Sequence, residues 1–131
     1  MKTKLTIILG KIDKKFDFFS DSYFKLYLDD NNQLPARYVT QSGIDNCIKQ
    51  IFSDYFKIDS SWPSVKISNA RTKMENGKLC TEILYTCFIP SIWGVEKTGT
   101  FYTIKKLKEL SIEIDPFYEK TISKQSRSVY R

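Results

Sequence analysis

One amphipathic stretch in the first half of the chain, residues 42–57, constrains the fold most strongly. Apolar side chains recur there every three or four residues, which is the spacing of one helix face. Ser42-Gly43-Ile44-Asp45 matches a capping box with Asp at its fourth position, so we expect the helix to begin at Ser42 and to end near Lys57. The apolar stripe expected on this helix consists of Ile44, Cys47, Ile48, Ile51, Phe52 and Tyr55.

β-rich runs lie on both sides of this helix, and together they predict an α/β (α+β) domain. The pair Asn76-Gly77 predicts a two-residue hairpin turn. The long apolar run from Leu79 to Ile89 predicts a central strand that ends at Pro90, and Gly10 to Asp21 is interpreted as a connection. The other predicted strands are Lys4–Leu9, Tyr23–Leu28, Val65–Lys73 and Thr100–Tyr102, and the other predicted helices are Ile104–Leu110 and residues 116–127.

The composition is that of one globular domain, to which we assign residues 1–131. Hydrophobic residues make up 41% of the chain, enough for a core of its own. The net charge of +6 favours anionic partners such as nucleic acid, phosphate ligands or acidic protein surfaces, although ordinary solubility explains it equally well. Basic side chains near the C-terminus form either a phosphate-facing patch or a solvated face: Lys105, Lys106, Lys108, Lys120, Lys124 and Arg127.

The chain contains no His and three Cys, namely Cys47, Cys80 and Cys87. The absence of His excludes Ser–His and Cys–His nucleophiles and His-ligated zinc. Because no CxxC pair occurs, we interpret the three Cys as buried small hydrophobic residues in a reducing compartment. The apolar run near the N-terminus is too short for a secretion signal, and no run is long enough to span a membrane. We therefore expect a protein in the cytoplasm, or one packaged inside a larger particle.

Three local features of the chain resemble the Nudix hydrolase superfamily. Leu34-Pro35 stands where that family has Leu-Pro-Gly-Gly before its loop and helix, and Phe56-Lys57-Ile58 stands where the family's helix ends in x-Gly-aliphatic. Residues 103–110 resemble the family's late segment, in which a strand passes into a short helix. The resemblance covers nearly the whole chain. It implies a Nudix-like α/β/α sandwich around a mixed β-sheet.

The catalytic motif of the family is largely missing from the predicted helix. In the family, helix carboxylates one turn apart and one loop Glu hold Mg²⁺ against the diphosphate of the substrate. Aligned on the helix end, Ile51 and Tyr55 stand at two of these acidic positions, and only Asp54 keeps an acid. Asp54 is therefore either a vestigial metal position or a solvated helix residue. The other motif positions hold Gln50 in place of Arg, Lys57 in place of Gly, and Ala36-Arg37 in place of Gly-Gly.

Two further kinds of side chain have both a structural and a functional interpretation. Trp62 and Trp93 flank strands, where each either stacks on a base or ring or packs as a core or rim aromatic. Glu82 lies in the middle of a predicted strand and faces either a cleft or, as we favour, a cross-strand partner.

The sequence favours a catalytically inactive Nudix-like domain that acts as a structural or protein-interaction module in a larger assembly, such as a ribonucleoprotein or a virion. The resemblance implies no metal and no cofactor here, because the carboxylates of the motif are missing. The alternative is an RNA or nucleotide binder that does not hydrolyse its ligand. A third hypothesis is a Nudix-type hydrolase with a non-standard acid set. We expect protein partners and no membrane.

Overall fold

A computed structural model of the chain describes residues 2–12, 24–57, 64–90 and 93–129, with side chains up to residue 123. Within those ranges the chain forms six strands and three helices. The strands are β1 (Lys2–Ile12), β2 (Phe24–Leu28), β3 (Ala36–Tyr38), β4 (Lys66–Glu75), β5 (Lys78–Pro90) and β6 (Thr100–Thr103). The helices are α1 (Ile44–Tyr55), α2 (Ile104–Glu109) and α3 (Pro116–Val129).

The six strands form one mixed sheet in the order β4-β5-β1-β2-β6, and β3 pairs with the first half of β1. β1 and β5 run parallel along their whole length, from Lys2 opposite Cys80 to Ile12 opposite Pro90, and the other described pairings are antiparallel. The middle strand is therefore β1. The strand predicted as central, β5, is instead an interior strand next to β1. The strand order depends on the parallel pairing of β1 with β5, which lie far apart in the sequence.

One face of the sheet packs against α1. Side chains alternate along a strand, so Leu5, Ile7 and Leu9 of β1 point to the same side. They form a buried core with Ile51 and Phe52 of α1. Of the apolar stripe predicted for this helix, Cys47, Ile51 and Phe52 are buried, whereas Ile44 at the start of the helix is 41% exposed.

The opposite face of the sheet packs against α2 and α3. Ile8 of β1 and Leu84 of β5 are fully buried there with Leu107 of α2 and Ile122 of α3. The two cores on either side of one sheet make an α/β/α sandwich, as predicted.

The start of α1 differs from the predicted capping box. The helix begins at Ile44, its N-cap is Gly43 with a φ of 94°, and no described side chain bonds to that cap. The Ser42 hydroxyl instead lies 3.1 Å from the Thr40 hydroxyl. A positive φ suits Gly, so the chain turns at Gly43 and enters the helix two residues later than the sequence pattern indicates.

The predicted hairpin turn is confirmed. Asn76 and Gly77 both have positive φ, 53° and 78°, and Glu75 pairs with Lys78 across the turn. Two positive φ values are those of a type I′ turn, which joins twisted antiparallel strands most readily.

The other element ends differ from prediction by one or two residues, apart from two larger differences. β1 continues through Gly10 to Ile12, which we expected to belong to a connection, and β3 lies in a segment with no predicted strand. The rest of the predicted connection, together with Tyr23, lies outside the described residues. All three Cys are buried and free, as predicted.

Candidate functional site

The acid predicted as a vestigial metal position, Asp54, lies in the last turn of α1 with 48% of its side chain exposed. Its Oδ2 accepts a hydrogen bond of 2.6 Å from Nη1 of Arg37. β3 pairs with β1 so that Arg37 stands opposite Leu5, and this places the guanidinium beside the helix. Arg37 of β3 therefore forms an ion pair with Asp54 of α1.

Two residues of α1 near Asp54, Ile51 and Tyr55, pack toward the protein interior. Ile51 is fully buried beneath the helix, and Tyr55 is half buried. The ring of Tyr55 packs edge-on to Tyr27 and at a tilt to Phe56, with centroids 6.3 Å and 6.2 Å apart. Ile51 is therefore a core contact and Tyr55 an aromatic contact.

A groove of about 320 Å³ lies between β3 and the start of α1. Hydroxyl groups, amides and one guanidinium supply its polar atoms, and such groups can hydrogen-bond a polar or anionic ligand. The described lining has no carboxylate: it consists of Arg37, Tyr38, Thr40, Ser42, Asn46, Cys47 and Gln50. Across the described part of the chain, no three Cys, Asp or Glu side chains come together in a group able to hold a metal ion.

A second cleft, of about 300 Å³, opens on the opposite face of the sheet, between the start of β1 and the segment before α3. Its apolar lining residues are Leu28, Leu34, Ala36 and Ile114. The other lining residues supply a cation, carboxylates, amides and hydroxyls, and they are Lys4, Thr6, Asn32, Gln33, Glu113, Asp115 and Tyr118. The polar groups of this lining can hydrogen-bond a polar ligand.

Beside this cleft lies a buried carboxylate, Glu82 of β5, with no exposed surface. Its Oε2 accepts hydrogen bonds from the hydroxyls of Thr6, at 2.5 Å, and Tyr118. Its Oε1 accepts from Nε of Arg71 at 3.0 Å and lies 3.5 Å from Nζ of Lys73. The cross-strand partner that we favoured for Glu82 is confirmed, since Arg71 is its registered neighbour on β4.

These contacts determine the protonation of the buried network. Burial alone would raise the pKa of Glu82, but hydrogen bonds from two hydroxyls and one guanidinium outweigh it and hold that pKa below its ordinary value. Burial, followed by the hydrogen bond to Glu82, raises the pKa of Tyr118. At neutral pH, Glu82 is therefore ionised and Tyr118 keeps its proton as a donor.

Arg71 joins this network to the start of α3. Its Nη2 lies 3.0 Å from Oδ2 of Asp115, and its guanidinium carbon lies 4.2 Å from the centre of the Phe117 ring. Asp115 in turn accepts the Phe117 N–H at 2.9 Å, so it caps the helix that follows. One guanidinium thus fixes the end of α3 that borders the cleft.

The structure separates the residues predicted to contact ligand or nucleic acid. Trp93 packs against the core on the α1 side of the sheet, whereas Leu107 and Ile122 place α2 and α3 on the other side. The described lysines Lys105, Lys106, Lys108 and Lys120 are exposed on those two helices, and Lys106 Nζ lies 3.8 Å from Oε2 of Glu109. Trp62 and the side chains of Lys124 and Arg127 lie outside the described part of the chain.

Sequence reasoning missed most of the cleft on the α3 side. A signal was present in β1, where Lys4 and Thr6 interrupt an apolar strand at alternating positions. Alternation places both side chains on one face, and two polar groups on an interior strand require partners there. Thr6 donates to Glu82 of β5. Asp115 and Tyr118, which line the same cleft, come from a segment more than a hundred residues later, and no local pattern indicates that proximity.

The sandwich of one mixed sheet between α1 and the α2–α3 pair is a Nudix-like fold of the α+β class. Searches with protein-family models and against curated protein sequences find no match. The fold assignment therefore comes from solved structures.

Two Nudix structures have a similar fold. The first is the Nudix domain of Shewanella oneidensis NrtR in complex with ADP-ribose, with a TM-score of 0.67 and 8% identity over 97% of this chain and 87% of that one. The second is a C. elegans Ap4A hydrolase in a binary complex, with a TM-score of 0.67 and 8% identity over 98% of each chain. At such low identity the similarity concerns the fold alone.

Proposed function

We propose that this chain is a non-hydrolysing Nudix-like domain that serves as a structural or protein-interaction module in a larger assembly, located in the cytoplasm or inside a particle. The observation that carries the proposal is the ion pair between Arg37 and Asp54. Nudix hydrolysis, as the family resemblance implies it, requires several carboxylates around Mg²⁺. Here a guanidinium competes with any cation for the carboxylate at Asp54, and the aligned positions Ile51 and Tyr55 supply no oxygen ligand of that charge.

The purified chain is expected to show no Mg²⁺-dependent hydrolysis of ADP-ribose or of Ap4A. The Arg37→Ala variant is the sharper test, because it frees Asp54 from its ion pair. We expect that variant to stay inactive, since one exposed carboxylate does not hold Mg²⁺ in place. The measurement is product formation by chromatography with Mg²⁺ and with a chelator.

Asp54→Ala is the matched control for this assay. Turnover that needs Mg²⁺ and disappears in Asp54→Ala would contradict the proposal and favour the hydrolase with a non-standard acid set. The interaction role is measured separately, by the size of the complex in which the chain elutes from its native source. We expect a size well above 15.4 kDa, the mass of the single chain, and elution as a single chain would remove that role.

A second candidate function, a nucleotide or RNA binder without hydrolysis, is favoured by the cleft on the α3 side. Its lining offers a cation, Lys4, together with apolar side chains and several amide and carboxylate groups. The NrtR domain of similar fold was solved with ADP-ribose bound, so a ribose and diphosphate ligand is the first to test.

Titration calorimetry with ADP-ribose and with a short single-stranded RNA, at about 50 mM and about 200 mM salt, tests this second candidate. If the cleft binds the nucleotide, Lys4→Gln is expected to weaken binding about tenfold, the value of one charge-assisted hydrogen bond. Lys105→Gln, on α2 and outside the cleft, is the control and should leave nucleotide binding unchanged. RNA bound by the lysines of α2 and α3 would show the opposite pattern. Absence of heat with both ligands at the lower salt concentration would remove this candidate.

A further inference from the structure

Three lysines lie on the face of the sheet at which the cleft of about 300 Å³ opens. Lys2 and Lys4 belong to β1, and Lys78 begins β5. Side chains alternate along a strand, so Lys2 and Lys4 share the face of Thr6. That face also holds Glu82, which accepts the Thr6 hydroxyl, and Lys78 shares it because it lies four residues before Glu82 on β5. We call Lys2, Lys4 and Lys78 the lysine strip.

The register of β1 with β5 arranges the lysine strip as a diagonal that ends at the cleft. Lys4 stands opposite Glu82. Lys2 stands opposite Cys80, two residues after Lys78. Alternate residues of a strand are about 7 Å apart and neighbouring strands about 5 Å apart, so each step along the diagonal is about 7–8 Å. Lys4 lines the cleft, whereas Lys2 and Lys78 line a smaller pocket of about 230 Å³ beside the hairpin turn.

The ammonium groups of the lysine strip are accessible to a ligand. In the part of the chain that the structure describes, no carboxylate forms an ion pair with any of the three. Lys2 and Lys78 are exposed, and Lys4 is half buried in the lining of the cleft. Helix α3 runs from the cleft toward Ile8, away from Lys2 along β1, so it does not cover the strip.

An exposed aromatic ring lies beside the lysine strip. Tyr38 of β3 stands opposite Lys4, is 38% exposed, and has Nζ of Lys2 5.4 Å from the centre of its ring. Its hydroxyl donates to Oε1 of Glu75, whose Oε2 is buried, so Lys2 and Lys78 present the exposed charge of the smaller pocket. Cations that follow the backbone and an aromatic ring that stacks on a base are the two elements of single-strand nucleic-acid binding.

We propose that the lysine strip binds the phosphodiester backbone of single-stranded RNA, with one nucleotide in the cleft and the next phosphates on Lys2 and Lys78. The inference rests on the second candidate function and extends it from a nucleotide to a strand. One sugar and its linking bonds separate successive phosphates of an extended strand, a spacing similar to the steps of the strip. The amides and hydroxyls of the cleft can hydrogen-bond a 2′-hydroxyl, which DNA lacks. An acidic protein segment is less suited, because carboxylates are matched by the paired donors of arginine and not by lysine.

Fluorescence anisotropy of a labelled single-stranded RNA of about ten nucleotides, titrated with the full chain at about 50 mM and about 200 mM salt, is the test. The double variant Lys2→Gln with Lys78→Gln is expected to weaken binding about sixtyfold at the lower salt concentration and about tenfold at the higher one. The reason is that each lost phosphate contact removes a factor that falls with salt to the power of about 0.7. Both lysines are exposed, so the variant retains the native fold, which circular dichroism verifies.

Lys105→Gln with Lys108→Gln is the matched control, because it removes the same amount of charge from exposed positions of α2. It should leave RNA binding and its salt dependence nearly unchanged. Equal losses in the two double variants would assign the attraction to net charge alone and overturn the inference. A wild-type chain that does not bind the RNA at the lower salt concentration overturns it as well.

The aromatic ring and the form of the ligand are tested separately. Tyr38→Leu should weaken RNA binding about tenfold by removing the ring on which a base stacks, whereas Tyr38→Phe keeps the ring and should bind like the wild-type chain. Wild-type affinity in Tyr38→Leu contradicts the inference. So does an RNA duplex or an oligoglutamate of equal length that displaces the labelled strand as effectively as unlabelled single-stranded RNA. If ADP-ribose binds the cleft but the RNA binds no more tightly, the lysine strip fails while the second candidate function stands.

Discussion

Replacing Arg71 with Met is expected to lower the free energy of unfolding by about 3 kcal/mol, the lower end of the range for removing one partner of a buried ion pair. Met fills most of the volume of the Arg stem, so the loss arises from the charge. Without the guanidinium, the fully buried Glu82 keeps only two hydroxyls and the ammonium of Lys73 at 3.5 Å. Asp115 loses its ion-pair partner as well.

Urea unfolding followed by circular dichroism measures this loss, with Arg37→Met as the control. Arg37 also pairs with one carboxylate, but both partners are close to half exposed, so its removal should cost less than about 1 kcal/mol. Both variants remove an Arg side chain, so the difference between their losses of stability compares a buried ion pair with a solvent-exposed one. A loss below about 1 kcal/mol for Arg71→Met would mean that the hydroxyls and Lys73 satisfy Glu82 by themselves.

This network connects the stability of the fold to the shape of the cleft. Tyr118 and Asp115 line the cleft and also bind Glu82 and Arg71, which belong to the sheet. A substitution in the network therefore alters the position of α3 and the cleft wall together. Ligand-binding variants in this cleft should accordingly be chosen among residues outside the network, such as Lys4.

Local sequence patterns were sufficient for much of the fold. The stripe from Cys47 to Phe52 identified the buried face of α1, and Asn76-Gly77 identified the hairpin turn, because both features depend on residues close in sequence. β3 could not be predicted in this way, because a strand of three residues is too short to show an alternating hydrophobic pattern. The capping box predicted at Ser42 was wrong, because the N-cap of the helix is Gly43, which has a positive φ.

The candidate site was predictable only where both partners lie on neighbouring strands. Glu82 and Arg71 face one another across the hairpin that the turn signal indicates, so a cross-strand partner for Glu82 was a sound expectation. The partner of Asp54 was not predictable, because Arg37 reaches it only after β3 has paired with β1. The sequence singled out Arg37 only through a resemblance, and the structure shows that its guanidinium contacts Asp54.

Replacing Gly99 with Ala is expected to lower the free energy of unfolding by about 3 kcal/mol, from two separate causes. Gly99 has a φ of 79°, a conformation that costs a residue with a side chain about 1–2 kcal/mol. An added Cβ would also lie 2.5 Å from the carbonyl oxygen of Leu28 and about as close to the hydroxyl of Tyr27. The Leu28 oxygen belongs to the backbone of β2 and cannot move aside without disturbing the sheet.

Gly77→Ala is the control that separates these causes, because Gly77 has a nearly identical φ of 78° and an added Cβ would meet nothing within 4 Å. Thermal and urea unfolding should show a loss of about 1–2 kcal/mol for Gly77→Ala, from the conformational cost alone. The excess loss in Gly99→Ala then measures how tightly the turn before β6 packs on β2, where Asp30 also accepts the Gly99 N–H at 3.1 Å. Equal losses in the two variants would mean that this turn yields to the added methyl group, and that Tyr27 is not held as firmly as its bond of 2.7 Å to the Thr98 carbonyl indicates.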